Sequence, residues 1–173
     1  MNRKISKSSP EITGTHQFCE TTPEKVNIEP FTMVVFGGTG DLSRRKLLPT
    51  LYHLCKDQNL PQEFSIIGFA SGKRSDDEYR KFVLEAIEEF GEDDLKKECW
   101  EGFSRHLFYV SGGFEDEEGY RELARRIDEN TRSRDAAAGN IIYYLATPPH
   151  YLSAIFERLP FCKPCGGMIN PRV

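Results

Sequence analysis

Phe31-Thr-Met-Val-Val-Phe-Gly37-Gly38-Thr39-Gly40-Asp41-Leu42 runs directly into Ser43-Arg44-Arg-Lys46-Leu-Leu-Pro49. An apolar, β-branched run meets three glycines within four positions, and a helical pattern follows at once. That pattern predicts a strand turning sharply into a helix, with the turn left open for a ligand. Glycine lets the backbone adopt positive φ and lets a phosphate approach where a Cβ would block it. Amides at the start of the following helix point at such an anion, and the helix dipole adds to the attraction. The strict G-x-G-x-x-G fingerprint is not met, because Thr39 and Leu42 stand where its second and third glycines belong. Asp41 would repel a phosphate, so its expected role is to cap the helix through its side chain.

Outward from this turn, strands and helices alternate. Strands are expected at Phe31–Phe36, Phe64–Ala70, Leu107–Val110 and Asn140–Ala146, with a fifth starting at Met168–Val173. Helix one starts near Leu42, with Leu47, Leu48, Leu51, Leu54 and Cys55 as its buried stripe. Pro49 cannot sit mid-helix without a break, so a separate first turn should precede it. Ser75-Asp-Asp-Glu78 is a capping box, and Tyr79, Phe82, Val83, Ala86, Ile87 and Phe90 follow at helical spacing. Further helices are expected at Asp93–Phe103, Glu115–Arg132 and Pro148–Leu159, the last burying Tyr151, Leu152, Ile155, Phe156 and Leu159. Such alternation implies an α/β fold: a Rossmann-type, doubly wound, mainly parallel sheet with helices on both faces. Ligands bind such sheets beyond the carboxyl ends of the strands, near the point where strand order reverses. Residues 1–30 are polar and aperiodic, and read as a flexible extension ahead of a single domain at 31–173.

Composition narrows the function. A formal charge of −4 argues against general nucleic-acid binding. No apolar run approaches the ~20 residues of a membrane span. Five cysteines without a regular framework suggest a reducing compartment, by default the cytoplasm. Between Leu42 and Ser75 six basic residues face two acidic ones, whereas eighteen acidic residues lie between Asp76 and Glu129. The acidic excess reads as solvated helix faces, and the basic excess surrounds the glycine turn.

The stretch G-G-T-G-D-L-S-R-R-K-L-L-P resembles the coenzyme motif of glucose-6-phosphate dehydrogenases, and the resemblance continues in Ile66-Ile-Gly68-Phe-Ala70 and Tyr144-Leu-Ala-Thr-Pro-Pro149. It implies an oxidoreductase of carbohydrate metabolism, in the pentose phosphate pathway, whose N-terminal domain binds NADP. On that resemblance the coenzyme-binding turn comprises Gly37, Gly38, Thr39, Gly40, Asp41 and Leu42, continued by Ser43 and Arg44. Lys46 matches a basic residue near coenzyme and substrate, although a solvated helix lysine is the other reading. Ser71, Gly72, Lys73 and Arg74 follow strand two, where an NAD-specific domain usually carries Asp or Glu for the ribose 2′-hydroxyl. Cations and a hydroxyl there suit a 2′-phosphate and hence NADP. The family has an arginine directly after the alanine, and this chain has Ser71. The alternative reading of this turn is a basic surface loop.

The family's E-K-P-F-G strand end and its R-I-D-H-Y-L-G-K-E catalytic stretch do not occur in these 173 residues. The expectation is therefore a coenzyme domain truncated before its catalytic half, with no catalytic residue of its own. The intact enzyme would oxidise glucose 6-phosphate and would be a homo-oligomer. A reading of a different class is a self-contained, non-catalytic module that senses NADP. His150 has no partner in the sequence pattern and reads as a surface residue at a helix start.

Cys162-Lys-Pro-Cys165 is a lone C-x-x-C, half of the ligand set that structural zinc requires. No bound metal is expected. Elemental analysis of the purified chain should find far less than stoichiometric zinc. About one zinc per chain, lost in Cys165→Ser, would overturn that expectation.

Overall fold

A computed structural model describes residues 28–91, 95–132 and 140–162. Four strands, β1 (Phe31–Phe36), β2 (Phe64–Ala70), β3 (Leu107–Ser111) and β4 (Asn140–Leu145), form one sheet in the order β3-β2-β1-β4. Every pairing is parallel. The chain steps outward from β1 to β3 and then returns to the other side of β1, so strand order reverses between β1 and β4. β2 is buried along its whole length, as a strand covered on both faces must be.

Helices α1 (Leu48–Lys56), α2 (Asp76–Phe90) and α3 (Lys97–Ser104) cover one face. Their contribution is a core of Leu48, Leu51, Tyr52, Tyr79, Val83, Ile87 and Phe103 packed on Phe31, Val35, Phe64, Ile66 and Leu107. Helices α4 (Glu117–Arg132) and α5 (Leu152–Arg158) cover the other, where Tyr120, Leu123, Ile127 and Ile155 pack on Val34, Phe36, Ile67, Phe69 and Ile141. The expected doubly wound architecture is present. The expected fifth strand, the extension up to residue 27 and the C-x-x-C side chains lie outside the described residues.

Local chemistry explains most element boundaries. A π-helical turn, Ser43–Leu47, precedes α1, and Leu48 N–H bonds to the Ser43 carbonyl five residues back. Pro49 then falls in the first turn of α1. A proline has no N–H to give and crowds the carbonyl four residues earlier, so a widened turn is the local relief. The Ser75 capping box is complete: Glu78 N–H donates to Ser75 Oγ at 3.2 Å, and Ser75 N–H donates to Glu78 Oε2 at 2.7 Å. These bonds hold the Glu78 carboxyl below its ordinary range.

Several expected boundaries shift. α3 begins at Lys97, not at residue 93, because Lys96 is extended and its N–H is taken by Tyr52 Oη at 3.0 Å. α4 begins at Glu117, after Asp116 accepts Glu118 N–H at 3.1 Å as its cap. The last expected helix opens as a 3₁₀ turn, Pro149–Tyr151, before α5. As a result Tyr151 and Phe156, expected inside, are 37% and 46% exposed. Asp41 caps nothing: the cap position falls on Leu42, and the Asp41 carboxylate is exposed, 3.9 Å from Arg45. Among the described residues no helix is long and apolar enough to cross a membrane.

β1 and β2 are joined at their ends by a backbone contact. A Cβ on Gly38 would lie 2.6 Å from the Cα of Gly68, and one on Gly68 would lie 2.6 Å from the Tyr79 ring. The first neighbour is main chain and cannot swing aside. Gly38→Ala is expected to cost about 1–3 kcal/mol through overpacking, read as a lower urea midpoint at unchanged slope.

Candidate functional site

The site is built at the carboxyl edge of the sheet, where the order reverses. Gly37 has φ +80°, a conformation only glycine adopts freely. A Cβ there would also stand 2.5 Å from the Ala146 carbonyl oxygen at the end of β4. The Gly37 and Gly38 amides donate to the Phe69 carbonyl at 2.9 and 3.3 Å, and the Gly40 amide to the Gly37 carbonyl at 2.8 Å. Ser43 is fully buried, and its Oγ also donates to the Gly37 carbonyl, at 2.8 Å. The turn is thus fixed from both neighbouring strands and from the helix it feeds. The Arg44 amide donates to the Gly40 carbonyl at 2.9 Å, and the amides ahead of it have no carbonyl a turn behind them, which leaves donors for an anion.

Over the turn lies a cavity of about 690 Å³, within the range of cofactor sites. Gly37, Thr39 and Gly40 form one wall, Ala70 and Ser71 the end of β2, and Ala146, Thr147 and Pro148 the end of β4. The opposite wall is Gly112, Gly113, Phe114, Glu115 and Asp116, with Tyr151 beside it. Sequence reasoning missed this last wall and the role of Tyr151. Ser111-Gly-Gly113 directly after a strand was the available clue, a third glycine turn on the same edge. Gly112 is required by space, because a Cβ there would lie 2.6 Å from the Phe69 ring. Thr147 Oγ1 is buried at this edge without a hydrogen-bond partner among the described residues. A buried hydroxyl left open beside a glycine cradle suits a polar ligand that completes it.

The remaining sequence-derived residues lie partly at the rim of this cavity and partly away from it. Ser71, Lys73 and Arg74 form an exposed turn at its β2 end, and the Arg74 guanidinium lies 5.2 Å over the Phe82 ring. Leu42 points to solvent. Arg44 turns away from the glycines: its Nη2 pairs with Glu89 at 2.6 Å, and it stacks near Phe82 and Phe90. Lys46 is exposed beside a smaller groove that it shares with Arg45, Pro49, His53 and Phe90. His150 is exposed, its ring 4.1 Å from that of Tyr151. Among the described residues no group of three or more His, Cys, Asp or Glu side chains is placed to hold a metal.

Two buried tyrosines brace the turns from below. Tyr79 Oη lies 3.4 Å from the Gly38 carbonyl, and Tyr109 Oη donates to the Gly72 carbonyl at 2.7 Å. Burial pushes both phenols up from their usual range. For Tyr109 the Arg74 charge and the Thr39 hydroxyl draw it part of the way back. Both therefore stay protonated, and able to donate, at neutral pH.

Residues 34–166 match the family model described as glucose-6-phosphate dehydrogenase, NAD binding domain. The chain belongs to that family. Its coenzyme domain therefore serves a nicotinamide dinucleotide. The glucose-6-phosphate 1-dehydrogenase of Chlamydia pneumoniae is 38% identical over 130 residues, which is 75% of this chain and 25% of that protein. The Rhizobium meliloti enzyme is 37% identical over 140 residues, 78% of this chain and 26% of that protein. A solved glucose-6-phosphate dehydrogenase in complex with its substrate glucose-6-phosphate superposes with a TM-score of 0.72 at 26% identity, over 84% of this chain and 30% of that one. The chain thus spans about a quarter of the length of the curated relatives it matches.

Ser43 is the residue of this family turn whose role is most directly testable. Ser43→Ala strips a buried hydrogen bond from the Gly37 carbonyl and is expected to destabilise the fold by about 1–3 kcal/mol. Coenzyme binding should weaken with it, since the turn loses its tie to the helix. Urea unfolding and a coenzyme titration measure the two effects. An unchanged midpoint would mean that the hydroxyl does not hold the turn.

Proposed function

We propose that this domain, residues 31–173, binds NADP in preference to NAD, and that it is the coenzyme half of a longer glucose-6-phosphate dehydrogenase. The observation that carries the preference is the chemistry after β2. Ser71, Lys73 and Arg74 offer one hydroxyl and two cations on an exposed turn, where an NAD-specific domain places a carboxylate. The nearest carboxylates downstream are all engaged elsewhere. Asp76 Oδ1 accepts the Tyr109 N–H at 2.8 Å, and Oδ2 pairs with Arg126. Asp77 pairs with Arg80 at 2.7 Å, and Glu78 closes the capping box. Between Ser71 and Glu78 a ribose 2′-hydroxyl would find every carboxylate already paired, and a 2′-phosphate would find cations.

In this reading the amides of Thr39, Asp41 and Leu42 hold the diphosphate, those of Gly38, Gly40 and Arg44 being taken by the Phe69, Gly37 and Gly40 carbonyls, with Gly37 and Ser43 fixing the turn. Arg44 supports the turn, its amide bonded to the Gly40 carbonyl and its side chain committed to Glu89. Lys46 is the exposed cation of the same helix that faces coenzyme or substrate, and the Thr147 hydroxyl meets the coenzyme on the β4 side. A nicotinamide coenzyme held there would supply the hydride acceptor for oxidation of glucose 6-phosphate at C1 to 6-phosphogluconolactone. This chain's residues bind, orient and shield; the base belongs to the catalytic half of the longer enzyme. The family resemblance further implies a cytoplasmic homo-oligomer.

The test is a titration of NADP and NAD against the parent chain and Lys73→Ala/Arg74→Ala, at low and high salt. Exposed charge pairs are screened by solvent and ions. Removing both cations should weaken NADP binding by roughly 1–3 kcal/mol, or about 5–150-fold. NAD binding should hardly change, and the NADP effect should shrink as salt rises. Equal losses for both coenzymes would show that the turn does not hold a 2′-phosphate. Tighter NAD than NADP binding by the parent would show that Ser71, in place of the family's arginine, reverses the preference.

A further inference from the structure

The turn bearing Ser71, Lys73 and Arg74 is exposed, yet its backbone is held from the neighbouring strand. Tyr109 Oη donates to the Gly72 carbonyl at 2.7 Å and lies 3.1 Å from the Ala70 carbonyl. Ser111 Oγ is 3.2 Å from the Gly72 carbonyl, as donor, and 3.4 Å from the Arg74 amide, as acceptor. The Gly112 amide adds a bond to the Ala70 carbonyl at 3.0 Å. Two hydroxyls of β3 therefore reach across to the main chain on either side of Lys73.

We propose that Tyr109 and Ser111 are positioning residues for coenzyme choice, setting the direction in which Lys73 and Arg74 are presented to the ribose 2′ position. The proposal rests on the NADP reading of this turn. Glycine at 72 gives the loop wide backbone freedom, and a carbonyl fixed by two hydroxyls removes much of it. A preorganised loop spends less of its interaction energy on ordering itself when ligand arrives. The Arg74 side chain has a further support in the Phe82 ring beneath it.

Two features separate this role from general stability. Gly72 is exposed, so its carbonyl finds water once the hydroxyls are gone, and the fold loses little. The Tyr109 ring packs on Tyr79 with centroids 5.1 Å apart, so Tyr109→Phe removes the oxygen and keeps the packing. Tyr109 also interacts with Thr39 in the glycine turn. Ser111→Ala, which touches only the β2 turn, is therefore the cleaner variant.

The experiment titrates NADP and NAD against the full chain as parent, Ser111→Ala, Tyr109→Phe and the double variant, with thermal unfolding alongside. The same substitutions are made on the Lys73→Ala/Arg74→Ala background. Loss of ordinary hydrogen bonds predicts an NADP Kd raised by about 3–10-fold in the double variant, with the NAD Kd changed less than about twofold. Ser111→Thr, which keeps the hydroxyl, should restore NADP binding. On the cation-free background the hydroxyl substitutions should add no further loss. An unchanged NADP Kd in the double variant overturns the proposal, as does equal weakening of NADP and NAD in Ser111→Ala. If the cation-free variant binds NADP like the parent, the NADP reading itself fails and this proposal fails with it. If the cations matter and the hydroxyls do not, this proposal alone is wrong.

Discussion

The Ala146 carbonyl oxygen stands 2.5 Å from the place where a Cβ on residue 37 would be. That approach of the β1 turn to the end of β4 is the constraint on which the site depends. It closes the crevice at the point of strand reversal, and it leaves residue 37 no side chain. The positive φ at the same residue points the chain back over the sheet edge, toward the helical turn Ser43–Leu47. Ser43, buried one turn on, ties this helix to the Gly37 carbonyl. A larger residue at 37 would have to move either the turn or β4. Either shift would open the wall that a dinucleotide must lie against.

Much of this was legible in the sequence, because the relevant signals are local. The glycine turn, the Ser75–Glu78 capping box and the break ahead of Pro49 each depend on neighbours within about five residues. The apolar stripe of α2 is read the same way, and Tyr79, Val83, Ala86 and Ile87 are buried as its spacing requires. The failures have equally physical causes. A 3₁₀ turn advances about 120° per residue against 100° in an α-helix. Three such residues before α5 rotate the expected face by roughly 60°, which brings Phe156 to solvent. Arg44 was expected at the coenzyme turn on the family resemblance, and its side chain is turned to Glu89 instead. Its partner Glu89 lies 45 residues away, a pairing that only tertiary structure brings about. The Gly112–Asp116 wall has a motif too short to separate from an ordinary loop.

The charge pattern divides along the same line. The acidic excess between Asp76 and Glu129 is largely helix surface, as its composition suggests. On α4, Arg121 pairs with Glu117 and Glu118, and Arg125 with Glu122 and Glu129, all at helical spacings and all exposed. Exposed pairs of this kind add little stability each. Asp76 is different: it sits at the start of α2, accepts the outward amide of edge strand β3, and pairs with Arg126 of α4. One carboxylate thus joins the layers on the two faces of the sheet and occupies an edge amide that would otherwise be open to pairing. Its commitment there is also what removes it from the ribose side of the site.

The register of the sheet brings these local devices to one level. Phe36 is paired with Phe69 on one side and with Leu145 on the other, and Phe69 with Val110. The next level holds Gly37, Ala70, Ser111 and Ala146, where β1 and β4 have already ended and β2 and β3 make their last pairing, so the four turns depart within one residue of each other. Side chains alternate faces along a strand, so a slip of one residue would carry Phe36 or Phe69 from the α4 face to the α1 face. Both rings are fully buried among Phe114, Tyr120 and Tyr143, and the opposite face is occupied by Leu48, Tyr79 and Val83. Burial of these aromatics thus fixes the register, and the register sets the distances across which Tyr109 and Ser111 reach the β2 turn. The binding edge is a consequence of core packing on the far side of the sheet from the helix that the glycine turn begins.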